Sequence, residues 1–124
     1  MDRKLIEKII GKKNYVDLND EIYMLREITS IMRQNIQNNL SFADEFISEI
    51  NTKASRAKVI IDDIVKSLEN DSFIVGYTNS KNYLLKYLKD FNINLEGIIK
   101  NTNDFNYDEL IKYTNSLIDL ILLF

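Results

Sequence analysis

The chain is 124 residues long, a length that one domain fills, with 45% apolar residues and a formal net charge of −3. It contains no cysteine and no histidine, which excludes disulfides, thiol chemistry, imidazole bases and imidazole or thiolate metal sites. Proline and tryptophan are also missing, so nothing interrupts a helix sterically and the strongest interface anchor is absent.

This apolar content supports a core and argues against disorder. Abundant asparagine, isoleucine and lysine are the imprint of an AT-rich genome, of the phage, plasmid or low-GC bacterial kind. Up to Lys13 the apolar residues after Met1 are only Leu5, Ile6, Ile9 and Ile10, too interrupted for a secretory leader. A cytoplasmic location is therefore expected. The longest apolar run, Leu120 to Phe124, is far too short to span a membrane. Charge is uneven: residues 1–16 carry a local +3 and residues 102–124 a local −3. The whole lacks the basic excess of a nucleic-acid binder.

Residues 1–18 read as a short basic amphipathic helix, from about Asp2 to Ile10, followed by a linker over Lys13–Leu18. Gly11 suits the helix end. A second helix is expected from Asn19, a good N-cap, with Asp20 and Glu21 in its first turn complementing the helix dipole. From there a mostly apolar seam steps by threes and fours: Ile22, Leu25, Thr29, Met32, Ile36, Leu40, Ala43, Ile47, Ile50, Ala54, Ala57, Ile61, Ile64 and Leu68. Only a helix gathers such positions on one face, and the spacing is coiled-coil-like.

The seam is weakest at Asn38–Ser41. Two consecutive four-steps fall there, and Ser41 to Asp44 resembles a capping box. A break predicts helices over 20–39 and 42–69. The connection Asn70–Asn79 is oddly apolar for a loop, holding Phe73, Ile74, Val75 and Tyr77. Ser80 is the expected cap of a helix over 81–101, with Leu84, Leu88, Phe91, Leu95 and Ile98 on one face and a weak point near Asn92. After a turn at Asn101–Asn106, Asn106 is placed to cap a last helix over 107–124. There Leu110, Leu117, Ile121 and Phe124 share a face, with Tyr113 and Ile118 beside it.

The expected fold is all-α: an up-and-down bundle of four longer helices (19–124) plus the short N-terminal one, in a single domain. The alternative is a long antiparallel helical hairpin that dimerises to cover its seam.

Chemistry is sparse. Glu45, Glu49, Asp62 and Asp63 are the only carboxylates whose clustering would suit a metal-dependent hydrolase, but none falls on the seam. A solvated face with Glu49–Lys53 and Asp62–Lys66 pairs explains them better. Asn101 to Glu109 lacks the glycine and spacing of a calcium loop. No metal or other cofactor is expected. Lys53, Arg56 and Lys58, with Arg3, Lys4 and Lys8, are the candidate phosphate contacts if the chain associates with nucleic acid. That reading is not favoured, because aromatic interleaving is absent.

Two apolar features exceed what a small bundle needs: Phe73, Ile74, Val75 and Tyr77 in the central turn, and Leu120, Leu123 and Phe124 at the end. The function they point to is a small non-catalytic protein-binding module: an adaptor, inhibitor, chaperone or assembly subunit. Its partner would be another protein or a second copy of itself.

Overall fold

The computed structural model describes residues 2–38, 42–70 and 77–124. These residues form five helices and no strand: α1 (Arg3–Ile10), α2 (Lys12–Gln37), α3 (Asp44–Glu69), α4 (Thr78–Asn103) and α5 (Tyr107–Leu123). The three central helices are 26 residues each, about 39 Å at 1.5 Å per residue.

The seam faces inward over most of its length, but Ile36 is only half-buried and Ala43, outside α3, is exposed. Ile22, Leu25, Met32, Ile47, Ile50, Ala54, Ala57, Ile61, Ile64 and Leu68 are all buried, and Leu84, Leu88, Phe91, Leu95 and Ile98 meet them from α4. Each large aliphatic side chain buried this way contributes about 1.5–3 kcal/mol. Thr29 is tolerated on the seam because its hydroxyl donates to the Leu25 carbonyl at 2.7 Å.

Side chains that meet across helices fix the topology. Arg56 on α3 donates to Glu21 on α2, Asn92 on α4 to Asp62 on α3, and Tyr87 on α4 to the Leu120 carbonyl on α5. Consecutive helices meet in reversed order, as where Glu69, Asp62 and Asn51 of α3 meet Lys89, Asn92 and Thr102 of α4 in turn, so α2 to α5 run up, down, up, down. Contact between α2 and α5 closes the bundle. A straight helix would hold Glu21 and Arg56 about 50 Å apart; their 3.0 Å ion pair excludes the long hairpin. Helix α1 lies at the end where α4 begins and α5 ends, with the Arg3 guanidinium 5.3 Å from the centre of the Phe124 ring.

Several local expectations need correction. There is no linker over 13–18: α2 starts at Lys12, and Gly11 alone separates it from α1. Gly11 has φ of +85° and ψ of 159°, a conformation that only glycine adopts cheaply. It turns the chain in one step, so the seam extends upstream through half-buried Tyr15 and buried Leu18. Asn19 is therefore no cap, and Glu21 lies inside the helix rather than at its start. The cap position of α3 is Ala43, and the helix starts at Asp44 instead of Phe42. Buried Phe42 packs its ring against Phe46 and Tyr107 and so draws the chain inward just before the helix. Leu40, Ser41, Phe73, Ile74 and Val75 lie outside the described residues.

Helix α4 begins at Thr78, three residues before the expected start, because the Tyr77 carbonyl already accepts the Lys81 N–H at 2.7 Å. It passes Asn92 unbroken, since that side chain bonds across to Asp62 instead of competing for its own backbone. It ends only at Asn103. There the Asn106 N–H reaches the Asn101 carbonyl and the Phe105 N–H reaches that of Thr102, the paired bonds of a Schellman turn. Phe105, at φ of +52°, holds the place glycine usually takes. Asn106 caps α5 as expected, accepting from the Glu109 N–H.

Candidate functional site

The charged groups singled out by sequence do not converge. Glu45, Glu49 and Asp63 are exposed, and Glu49 sits 4.0 Å from Lys53. Asp62 pairs with Lys58 rather than Lys66, because Asn92 of α4 holds its other oxygen on that side of α3. Among the described residues, no group of three or more acidic side chains is placed to hold a metal.

The basic cluster on α3 is split between neighbours. Arg56 turns to Glu21 on α2, a carboxylate only 3% exposed. Lys58 turns to α4, 2.7 Å from Asp62 and 3.5 Å from Glu96. The hydrogen bond and charge of Asp62, joined by Glu96, outweigh burial and raise the Lys58 ammonium above its ordinary pKa. Arg3 is engaged by Phe124, while Lys4 and Lys8 are exposed on α1. Lys53, Arg56, Lys58 and Arg3 each turn to different neighbours, and Lys4 and Lys8 stand on another helix from the α3 cluster.

The apolar candidates fare unequally. Phe124 is only 7% exposed and belongs to the core. Leu120 is half-buried, its carbonyl bonded by the Tyr87 hydroxyl at 2.7 Å. Tyr77 is half-buried against the core just before α4. Leu123 is 52% exposed.

Leu123 opens onto a surface the sequence reading missed. Three adjoining clefts run along α4. The first, of about 360 Å³, lies between α1 and the start of α4 and is lined by Leu5, Ile6, Ile9, Tyr83 and Leu84. The second, of about 170 Å³, shares Tyr83 and passes Lys86, Asp90, Leu120 and Leu123. The third, of about 310 Å³, shares Asp90, Leu120 and Leu123 and continues past Ile93 to Asp119. The shared residues make them one shallow groove, with α4 as its exposed floor and α1 and α5 along its borders. Tyr83 and Ile93 are each 58% exposed within it.

A signal for this surface was present. Tyr83, Lys86, Asp90 and Ile93 step by three, four and three along α4, on a different side from the core row. The two charges in the middle disguise it as an ordinary solvated face. Neither the Lys86 nor the Asp90 side chain has an ion-pair partner among the described residues.

Two features shape the groove from beneath. Gly97 lets α5 approach closely, because a methyl there would land on the Tyr113 ring. Burial pushes the Tyr87 phenol above its ordinary pKa, with Tyr83 adding to the shift and Arg26 opposing it, so Tyr87 stays a hydrogen-bond donor. A separate cleft between α3 and the end of α4 holds Asn51, Thr102, Asn103 and Phe105. The Asn51 amide already donates to the Ile99 carbonyl, Thr102 Oγ1 and Asn103 Oδ1, so it ties helices together.

No helix among the described residues is long and apolar enough to cross a membrane. The chain matches no protein-family model, no curated protein and no solved structure.

Proposed function

We propose that this chain is a non-catalytic protein-binding module that receives an apolar helical surface of its partner along the α4 groove. The observation carrying this reading is the groove itself. It is continuous over more than one cleft, its floor exposes Tyr83 and Ile93, and the bundle core is complete without them. Exposed apolar residues that the core does not use, here Tyr83, Ile93 and Leu123 along one groove, are the ordinary signature of a protein contact. A groove of this shape suits an amphipathic helix, whose apolar positions recur at the same three-and-four spacing.

Nucleic-acid association has less support. Its six candidate basic residues are spread over two helices, and Arg56 and Lys58 are occupied by carboxylates. A hydrolase would need carboxylates brought together, and Glu45, Glu49, Asp62 and Asp63 are apart or already paired.

The test is photo-crosslinking in living host cells. A photoreactive phenylalanine analogue replaces Tyr83 or Ile93, and Val59, exposed on α3, serves as the control position. Discrete adducts from positions 83 and 93, absent from 59, are the expected outcome. Equal labelling from all three positions, or none, overturns the reading.

A further inference from the structure

We propose that the occupant of the groove is a second copy of this chain, its α4 packed antiparallel on the first about a two-fold axis level with Leu88. The inference rests on the protein-binding reading above and names the partner.

The argument begins with the order of residues on the floor. Tyr83, Lys86, Asp90 and Ile93 are spaced three, four, three, and that spacing reads the same in both directions. An antiparallel copy therefore presents the same ladder to the first. With the axis level with Leu88, Tyr83 faces the partner's Ile93 and Lys86 faces the partner's Asp90. By symmetry each contact occurs twice, as an isologous interface demands. Apolar pairs stand at both ends and ion pairs between them.

The alternative orientation fails on charge. A parallel copy sets Lys86 against Lys86 and Asp90 against Asp90, two like-charge contacts in the middle of the interface. The antiparallel register removes both.

The groove walls agree with that register. Asp119 on α5 lines the same cleft as Asp90 and Ile93, so the partner's Lys86 would enter a place lined by two carboxylates. Leu120 and Leu123 line both the Tyr83–Lys86 and the Asp90–Ile93 clefts and add apolar border along the ladder. Lys86 and Asp90 lack ion-pair partners within the described part of one chain, whereas the other side of α4 is paired through Lys89–Glu69 and Lys58–Glu96. A charge-complementary, self-matching face on a helix whose Lys89 and Glu96 are already paired points to a copy of itself.

The experiment is sedimentation equilibrium of the full chain from about 1 μM to about 1 mM, a range that brackets weak homodimers. Circular dichroism confirms that each variant is folded. The parent chain is expected to dimerise. Lys86→Glu and Asp90→Lys are each expected to raise the dimer Kd at least about tenfold, because each puts like charges opposite one another twice. The double variant K86E/D90K is expected to dimerise more tightly than either single variant, and Val59→Asp to leave the Kd unchanged.

A parent that stays monomeric throughout overturns the proposal. So does a dimer whose Kd ignores either single reversal, or a double variant no tighter than the singles. The two readings separate cleanly. A monomer that still yields discrete crosslinks to another polypeptide from positions 83 and 93 removes the self-pairing and keeps the binding groove. A monomer without such crosslinks removes both.

Discussion

The two long sides of α4 are built by opposite means. Towards α3, polar groups reinforce the apolar core contact: Lys89 pairs with Glu69 at 2.7 Å, Asn92 bonds Asp62, Lys58 bridges Asp62 and Glu96, and Asn51 ties down the last turn. Towards α5, the helices touch through Gly97 under Tyr113 and through Tyr87 on the Leu120 carbonyl. Beyond that contact the surface turns apolar and open, with Lys86 and Asp90 left over. One helix of uniform length and regularity therefore has a finished side and an unfinished one. The lesson is that bonding capacity, once spent on a neighbour, cannot recruit another molecule, and the capacity left over marks the surface available for binding.

Substitutions on each side test that contrast. The largest effect is expected at Gly97. Ala is the better helix former by about 1 kcal/mol, but overpacking against Tyr113 costs about 1–3 kcal/mol and prevails because the ring lies directly over the site. Urea unfolding of Gly97→Ala should show a net loss of up to about 2 kcal/mol; a gain would mean that α5 is not held close there. Next comes Asn51→Ala on the α3 side. Losing the amide removes bonds to three acceptors, of which Thr102 is buried, and should cost about 1–2 kcal/mol by the same measurement. No change would show that the polar seam is ornament and that apolar packing alone joins α3 to α4.

Tyr87→Phe is the smallest at neutral pH, about 1 kcal/mol for one hydrogen bond, and it carries a pH signature. Burial holds the Tyr87 proton more tightly in the folded chain than in the unfolded one. Its contribution is therefore complete below the unfolded tyrosine value of about 10 and declines as pH rises above it. Lys58, also raised in the fold, declines in the same alkaline direction from the ordinary lysine value of 10.5. Denaturation midpoints measured from neutral to alkaline pH should fall less steeply above about pH 10 in Tyr87→Phe than in the parent. Identical slopes would place the Tyr87 hydroxyl in solvent.

The core was plainly legible in the sequence because burial obeys the helical period. Eleven seam positions from Ile22 to Leu68 are buried, and so is the whole α4 row from Leu84 to Ile98. Ends were harder. The start of α2 depends on one glycine turning the chain in a single residue, which made Lys13 to Leu18 look like a connection. Phe42 sets the start of α3 through packing and the Tyr77 carbonyl sets that of α4 through a backbone hydrogen bond, while local capping rules pointed to Ser41 and Ser80. The groove was least legible of all. On α4 its two exposed apolar residues are separated by two charged ones, and a charge pair four apart on a helix normally signals nothing but solvent. Only the three-dimensional arrangement shows Leu120 and Leu123 of α5 brought beside them.

The Arg3 guanidinium over the Phe124 ring has a consequence for handling the molecule. The first turn of α1 and the last residue of α5 meet at one pole of the bundle, so the backbone path is nearly a closed loop. An anchor, dye or fused domain attached at either end emerges at that pole, and the Phe105 turn points the opposite way. Tethering the chain by its ends therefore fixes which way the bundle stands, whichever end is chosen.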